Sequence, residues 1–283
     1  MQEKNEQAQL KVSQVIENAL VEKNLRGMQT IQSALPVGYV LRAAKLMLDA
    51  KGAVLIGTGF PVLDTFETDG PVGAIALYQA CEALGAVPII VCGAPLSNVL
   101  KLKYRVLEIK VGDVEHAQEV AQKALQKIKP ELIISIERPG QAQDGQYYNM
   151  RGEDITARAA CFDEFLKNSR CPSIAIGDGG NEIGMGNIVT ALEQLDIQAS
   201  VTQCDELVIA DVSNWAALGL IAMLDYLTGK QILPSVDAMS SLGFLSQHGS
   251  VDGVTRENTL TEDGLPASVG LELKQKLQSI IKQ

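Results

Sequence analysis

The sequence is poor in histidine and has no paired cysteines, and these shortages exclude several classes of site. Among 283 residues the histidines are His116 and His248, too few for a zinc site built from several histidines. A Ser-His-Asp arrangement is also disfavoured, because His116 opens an amphipathic helix; His248, in a loop, remains a candidate. The five cysteines contain no C-x-x-C spacing, and their odd number predicts reduced, mostly buried thiols.

Basic residues and long apolar runs are also scarce. The chain has 24 Lys and Arg against 34 Asp and Glu, a formal net charge of −10, so no basic surface for nucleic acid or an anionic membrane is expected. No apolar run approaches the roughly 20 residues of a membrane span. The N-terminal stretch MQEKNEQAQLKVSQ has no signal-peptide core. These absences predict a cytoplasmic protein with neither nucleic-acid nor membrane partners.

Continuous apolar runs alternate with segments of helical period along the chain. The predicted strands are 53–58, 87–92, 105–109, 132–137, 173–177 and 207–212. Runs without polar alternation are typical of strands buried on both faces of a parallel sheet. The predicted helices are 6–23, 35–49, 115–129, 156–166, 215–227 and 267–281, with a further helix between Pro71 and Gly85. The alternation predicts an α/β fold, a three-layer, open, mostly parallel sheet with helices on both faces.

Nothing in the composition divides the chain. We therefore predict a single α/β domain over residues 1–283, with an N-terminal amphipathic helix within 1–25. The segment 232–266 is the least regular part and is expected to lie over one end of the sheet. The oligomeric state is left open.

The segments that follow four predicted strands are rich in acids, amides and glycine. They read GFPVLDTFETDGP, ERPGQAQDGQYYNMRGED, GDGGNEIGMGN and DVSNWA. The connections at the opposite edge, such as DAKGA and KIKPE, are shorter and contain fewer of these residues. Because ligands of open α/β sheets bind beyond the carboxyl ends of the strands, this asymmetry predicts a binding site at that edge.

Acids outnumber bases in these segments. Against Arg138 and Arg151 stand Glu67, Asp69, Glu137, Asp178, Glu182 and Asp211. Converging carboxylates repel unless a cation lies among them, which indicates either Mg²⁺ or Mn²⁺ or a substrate ammonium. The arginines would then clamp a substrate carboxylate, so an amino-acid substrate fits. The alternative is structural, since acids before helices are often caps, as Asp69 and Asp211 would be.

The sequence contains only incomplete versions of the common nucleotide-binding motifs. GDGGNEIG has Glu182 where G-x-G-x-x-G requires its last glycine, and GTGFPV has Val62 there. No G-x-x-x-x-G-K-[ST] motif occurs. Neither a nicotinamide nor a flavin cofactor is therefore expected.

Spaced motifs through most of the chain resemble one known family. They are ETDGPVGA at 67–74, ERPG at 137–140, YYNMRGEDI at 147–155, GDGGNEIGMG at 177–186, CDELVIADVSNW at 204–215 and DGVT at 252–255, with Arg26-Gly27 after the first helix. Together they resemble the family named for the C-terminal domain of D-glutamate cyclase, over roughly residues 10–275. The resemblance implies a carbon-oxygen lyase of the hydro-lyase type, which closes D-glutamate to 5-oxo-D-proline and water.

That reaction, placed on the acidic strand ends, predicts roles for individual residues. The candidate catalytic acids are Asp178, Glu182 and Glu137. The candidate substrate-binding residues are Arg138, Gly179, Gly180, Asn181, Asn149, Arg151, Ser213, Asn214 and Thr68. The candidate ligands for Mg²⁺ or Mn²⁺ are Glu67, Asp69 and Asp178. The loop glycines at 177, 179, 180 and 184 are expected to let the backbone approach the substrate closely.

Two other functions remain open. In the vertebrate cyclase a domain resembling hydro-lyases precedes the one that this chain resembles, so the resemblance leaves two alternatives for a stand-alone copy: it acts on another small acid, or it needs a separately encoded hydro-lyase-like partner. The chain would then be a non-catalytic or partner-dependent module that binds an amino acid or nucleotide. The acidic strand ends are also compatible with a metal-dependent phosphate-ester enzyme.

Overall fold

A parallel sheet forms the centre of the fold in the computed structural model, which describes residues 2–282. Its strands are β1 (Ala53–Thr58), β4 (Val87–Cys92), β5 (Val106–Glu108), β6 (Leu132–Ile136), β7 (Ser173–Gly177) and β8 (Glu206–Ile209). Two short antiparallel pairs stand apart from it: β2 (Pro61–Val62) with β3 (Thr65–Phe66), and β9 (Thr261–Glu262) with β10 (Leu265–Pro266). The six parallel strands lie in the order β5-β4-β1-β6-β7-β8.

Helices cover both faces of this sheet. They are α1 (Gln2–Leu20), α2 (Met28–Ile31), α3 (Tyr39–Asp49), α4 (Pro71–Ala83), α5 (Leu96–Leu100), α6 (Ala117–Ile128), α7 (Asp163–Lys167), α8 (Val189–Leu192), α9 (Ser213–Thr228), α10 (Ile232–Ser235), α11 (Ala238–Gln247) and α12 (Ala267–Ile280). Helices α4 and α9 pack together on one face, with α1 and α3 against α9. Right-handed crossovers place α6 and α7, which contact each other, on the other face. The predicted three-layer α/β fold is confirmed.

The buried strands explain why the sheet forms. Every residue of β6 and β7 is buried, so each strand contributes apolar side chains to both helical layers. Helix α9 is buried along most of its length, because it lies between the sheet and the layer that contains α1 and α12. This double burial matches its nearly uniform apolar sequence.

Sequence and structure differ at several boundaries. Strands 53–58, 87–92 and 173–177 are confirmed as predicted. The strand predicted at 207–212 ends at Ile209, because the backbone N–H of Asp211 donates to Leu20 O instead of continuing the sheet. The helix predicted at 35–49 begins at Tyr39, after a left-handed Gly38. The segment 232–266, predicted to be irregular, contains the ten-residue helix α11.

The helix predicted at 156–166 is wrong. A 3₁₀ turn at Thr156–Arg158 and the short α7 are separated by extended residues, of which Ala160 pairs with Val111. The Asp163 carboxylate is buried and accepts hydrogen bonds from Tyr147, Thr202 and the Gln141 N–H. These long-range contacts, which apolar spacing does not encode, decide the local conformation.

The strand order reverses between β1 and β6. From β1 the chain proceeds outward through β4 to β5, and then returns to β6 and proceeds the other way through β7 to β8. Register pairs Thr58 with Ile136, so both strands end at the same height. A crevice opens at the carboxyl edge of such a reversal, where ligands of doubly wound sheets bind. Over residues 2–282, none of the helices has the length and apolarity needed to cross a membrane.

Candidate functional site

A cavity of about 530 Å³ lies at this reversal point. Its buried side chains come from the segments after β1, β6 and β7 and from the β9–β10 turn. The buried acids in its wall are Glu67, Glu137, Asp178, Glu182 and Asp263. More exposed residues, among them Asn149, Arg151, Glu153, Arg158 and Arg256, complete the lining. The cavity is therefore acidic at its closed end.

Three carboxylates meet at this closed end, two of them in the cavity wall and one, Asp69, behind it. Asp69, Glu137 and Asp178 each place one oxygen within 4.8 Å of the others; they are called the acid cluster below. Ser213, the first residue of α9, joins all three: its N–H donates to Asp69 at 2.8 Å and to Asp178 at 3.0 Å, and its hydroxyl donates to Glu137 at 2.6 Å. The N-terminus of a long helix thus faces the negative charge, which its dipole stabilises.

Glu137 adopts an unusual backbone conformation. Its φ of 44° is left-handed, a region that non-glycine residues seldom occupy. The Cβ of Glu137 also lies so close to Gly70 that a side chain at position 70 would clash with it. Local strain of this kind persists where surrounding contacts impose it and clusters at functional sites.

Arg26 supplies the cation that lies among these acids. Its guanidinium contacts the Asp178 carboxylate at 2.6 Å and the Asp263 carboxylate at 2.5 Å. It also donates to the backbone oxygens of Asp178 and Asp211. Arg26 therefore joins the turn after α1 to the loop after β7 and to the β9–β10 turn.

Burial raises the pKa of the clustered carboxyl groups. It raises the pKa of Asp69 to about 7, and the Asp263 charge adds to this effect. Burial also raises the pKa of Glu137 well above its ordinary value, with further contributions from Glu182 and Asp69. The pKa of Asp178 is raised by burial as well, although Arg26 opposes the shift. The cluster therefore retains protons at pH values where exposed carboxyl groups have lost them.

Glu67 is the most isolated of the buried acids. Its Oε1 has no hydrogen-bond partner within the described chain, and its pKa is raised well above the ordinary value by burial and by the nearby charges of Asp263 and Asp69. A buried carboxyl oxygen without a partner is costly. Glu67 thus presents an unpartnered oxygen at the cavity wall, where it can contact a ligand.

The loop GDGGNEIGMGN folds around its own glutamate. Glu182 accepts hydrogen bonds from the N–H groups of Gly179 at 2.8 Å and Gly180 at 2.7 Å. These are the donors that a glycine-rich loop would offer to a phosphate. Gly180 has a φ of +109°, and Gly179 packs against the sulfur of Met150, so close packing and backbone conformation account for both glycines.

We expect Glu182→Gln to destabilise this loop. The amide nitrogen cannot accept, so one glycine N–H loses its partner at a cost of about 1–3 kcal/mol. Urea denaturation measures the loss. Glu193→Gln, at an exposed position nearby, makes the same charge change and is expected to lie within about 0.5 kcal/mol of the wild type. Equal stability of the two variants would contradict this structural role.

Arginines line the outer part of the cavity. Arg151, Arg158 and Arg256 all contribute to its wall and are more exposed than the acids of the closed end. Arg256 contacts Glu153 at 3.2 Å, whereas Arg158 donates to Leu63 O. The cavity is therefore polarised, with carboxyl groups inside and guanidinium groups at the mouth.

The structure brings some predicted residues to the cavity and places others behind it. Those in its wall are Glu67, Glu137, Asp178, Glu182, Asn149, Arg151 and Asn181. Those outside the wall are Asp69, Thr68, Gly179, Gly180, Ser213, Asn214 and Arg138. Asn181 keeps a buried Oδ1 without a partner within residues 2–282, so it can accept a hydrogen bond from a ligand.

The residues behind the wall have structural partners. Asn214 accepts from Gly70 N–H and Gly73 N–H and donates to Glu262. Thr68 donates to Thr261 O. Asp211, expected in the acidic pocket, instead accepts from Lys23 N–H and Leu25 N–H in the turn after α1. Asp211 does not cap the following helix α9 either, because both of its carboxylate oxygens bind the distant turn.

Arg26, Asp263, Arg158 and Arg256 line the cavity but were not among the predicted site residues. A signal existed for Arg26, since Arg26-Gly27 is part of the family resemblance. Asp263 lies in the segment 232–266, which was predicted to be irregular and gave no chemical signal. Its position depends on long-range packing of the β9–β10 turn.

The acid cluster can hold a metal ion. Glu137 Oε1 and Asp178 Oδ1 accept no hydrogen bond from the described residues, so oxygen ligands are available. The predicted set is changed in one member, because Glu137 rather than Glu67 joins Asp69 and Asp178. In this structure Arg26 already lies 2.6 Å from Asp178, so a metal would share that carboxylate with a guanidinium.

Comparison with known proteins agrees with the motifs and the fold. Residues 16–278 match the family described as D-glutamate cyclase-like, C-terminal. The human protein named mitochondrial D-glutamate cyclase is 34% identical over 292 aligned positions, which cover 85% of this chain and 47% of the human protein. The chain belongs to the D-glutamate cyclase-like C-terminal family. It spans about half the length of the human relative, and its cytoplasmic location stays a prediction.

Solved structures add a distant neighbour. A crystal structure of an exopolyphosphatase-related protein from Bacteroides fragilis covers 86% of this chain and 56% of its own, with 11% sequence identity and a TM-score of 0.45. This likeness is too low to inform function.

Proposed function

We propose that this chain is a D-glutamate cyclase-like lyase that closes D-glutamate to 5-oxo-D-proline with loss of water. The observation that carries the proposal is the polarity of the cavity, with buried carboxyl groups at its closed end and Arg151, Arg158 and Arg256 toward its mouth. Glutamate has one ammonium and two carboxylates. Its ammonium matches the acidic end and a carboxylate matches the arginines.

The reaction requires proton transfer between two groups of one substrate. The α-nitrogen forms a bond to the carbon of the γ-carboxyl group, and one oxygen of that group departs as water. Both protons of that water come from the ammonium, so a carboxyl group that takes a proton from nitrogen and delivers it to oxygen suffices. Holding the substrate in a folded shape brings the nitrogen and the γ-carboxyl carbon together, which lowers the entropic part of the barrier.

Glu137 is the group we assign to this transfer. It lies in the cavity wall, its Oε2 is fixed by Ser213 at 2.6 Å, and burial raises its pKa well above the ordinary value, which favours a carboxyl group that both accepts and delivers a proton. Asp178, held by Arg26, binds the ammonium. Glu67, with its unpartnered Oε1, donates a hydrogen bond to an oxygen of the substrate's γ-carboxyl group.

We propose Mg²⁺ or Mn²⁺ as the alternative occupant of the acid cluster, in which case Glu137 and Asp178 would be ligands of the ion instead of taking the proton-transfer and ammonium-binding roles given above. Carboxylate oxygens are the ligands that these hard cations prefer. Asp69, Glu137 and Asp178 would hold the ion, which would supply positive charge to a developing oxyanion. Glu67 stays outside this set.

Incubation of the purified chain with glutamate tests the proposal. We expect D-glutamate to yield 5-oxoproline, followed by chromatography, in reactions without metal and with Mg²⁺ or Mn²⁺. L-Glutamate is run in parallel to measure stereochemical preference. No product under any of these conditions, together with no heat of D-glutamate binding by calorimetry, would contradict both the lyase activity and D-glutamate as its substrate.

A partner-dependent binding module is the second candidate. It is favoured by one observation, that the alignment covers only 47% of the human cyclase. Such a module would bind D-glutamate without turnover, and a separately encoded hydro-lyase-like protein would supply the chemistry. Calorimetric binding of D-glutamate without 5-oxoproline formation distinguishes this function from the lyase.

A further inference from the structure

A second pocket of about 230 Å³ adjoins the main cavity. It lies beyond the ends of β1 and β4, where Gly59 and Gly93 follow the strands, and its wall includes Leu96, Arg138 and Arg158. We call it the Arg138 pocket. The turn 60–63 separates it from the main cavity, and Arg158 lines both spaces.

Arg138 is buried in this wall without a counterion. Its side chain belongs to a residue that is 2% exposed, and Nη1 donates to Thr58 O at 3.0 Å and Gly59 O at 2.9 Å. Nε and Nη2 have no hydrogen-bond partner in the described part of the chain. No carboxylate of residues 2–282 forms an ion pair with it.

The two unpartnered nitrogens form one edge of the guanidinium. In this protein the same edge of Arg42 donates two hydrogen bonds to the Glu206 carboxylate, with Nε–Oε2 and Nη2–Oε1 distances of 2.8 Å each. In Arg138 the opposite nitrogen is fixed on two carbonyl oxygens, so the free edge is held in a set orientation. A rigid fork of this kind matches the paired oxygens of a carboxylate or phosphate.

Burial makes an unpaired guanidinium unfavourable, because the lost hydration is not replaced by an opposite charge. Burial also lowers the pKa of Arg138, although the Asp163 carboxylate is among the groups that oppose the shift without forming an ion pair with the guanidinium. The acid in the pocket wall is Asp64, which is exposed to solvent and therefore screened. The pocket thus has a buried positive charge with two free donors, beside a space large enough for a small anion.

We propose that the Arg138 pocket is an anion subsite that binds a carboxylate or phosphate group on the Nε–Nη2 edge of Arg138. Arg158, at the shared wall, closes over the anion from the side of the main cavity. The subsite does not depend on the lyase reaction proposed above. Its anion is either free phosphate or the carboxylate of a dicarboxylic ligand that extends from the main cavity.

Thermal shift and calorimetry with inorganic phosphate and with glutarate test the subsite. Glutarate has two carboxylates and no amine, so it does not require the acid cluster. At matched ionic strength we expect at least one of these anions to raise the Tm saturably. Arg138→Met should weaken its binding at least tenfold, and Arg138→Lys, which keeps the charge but loses the fork, should weaken it as well.

Arg105→Gln, at an exposed arginine far from both spaces, is the matched control and should bind like the wild type. Arg158→Gln, at the half-exposed wall, gives a second readout if Arg138→Met does not fold. Binding of phosphate alone identifies a phosphate subsite, and binding of glutarate alone a carboxylate subsite; either supports the proposal. Unchanged affinity in both the Arg138 and Arg158 variants, or no saturable binding of either anion, overturns it, whatever the 5-oxoproline assay shows.

Discussion

Replacing Arg26 by leucine should destabilise the protein by about 3–5 kcal/mol at pH 8, because it leaves buried carboxylates without their contacting cation. Arg26 contacts Asp178 and Asp263 directly. The destabilisation caused by Arg26→Leu should be smaller at pH 5. Groups such as Asp69, whose pKa is raised to about 7, bind more protons in the folded state, so their contribution to stability falls as the pH rises through 7. Removing Arg26 makes this decrease in stability between pH 5 and pH 8 larger. Urea denaturation at both pH values measures the effect.

Arg42→Leu is the control for this experiment. Arg42 also pairs with a carboxylate, Glu206, but at a more exposed position, where an ion pair contributes at most about 1 kcal/mol. We expect its loss to be small and to change little between pH 5 and pH 8. An Arg26 variant that behaves like the Arg42 variant would show that the acid cluster does not need this guanidinium.

Glu137→Gln should lower kcat for 5-oxoproline formation by roughly 10²–10⁴-fold, the range for loss of a proton-transfer group. The amide oxygen can still accept from Ser213, which donates to the carboxylate at 2.6 Å in the wild type. The fold and KM are therefore expected to change little. The wild-type rate should depend on the ionisation of a group with a raised pKa, and this dependence should disappear from the residual rate.

Glu153→Gln provides the same charge change at the mouth of the cavity, where Glu153 is exposed. It should leave kcat near the wild-type value. If Glu137→Gln retains full turnover, the proton transfer belongs to another acid, and the assignment fails even when the lyase activity is present.

Much of the fold can be predicted from the sequence because it depends on local patterns. The uninterrupted apolar runs at 53–58, 87–92 and 173–177 form the strands as expected, and Pro71 begins α4. The helix predicted at 156–166 failed because a buried carboxylate, Asp163, binds three partners from other parts of the chain. Periodicity contains no information about such partners.

The site is predictable only in its location. Acidic segments after neighbouring parallel strands converge, as Glu137 and Asp178 do. Which way a side chain points from such a segment depends on tertiary contacts. Glu182 turns back onto its own loop, and Arg138 enters the adjacent pocket. Arg26 reaches the cluster from the other end of the chain.

The loop 177–187 shows both sides of this limit. Its five glycines and two acids fit neither a phosphate cradle nor a simple turn. In the structure Glu182 takes the position of the anion, and Asp178 is left for the cavity. The glycines allow the loop to fold around Glu182, whereas we assign ligand binding to Asp178.

A crystal structure of the Glu137→Gln protein with D-glutamate tests the central claim most directly. The claim is that the acidic end of the cavity binds the ammonium and the arginines bind a carboxylate. We predict the ligand nitrogen at about 3 Å from an Asp178 oxygen, and a carboxylate on Arg151, Arg158 or Arg256. A ligand with its carboxylate against the acid cluster, or one bound outside the cavity, would contradict the account.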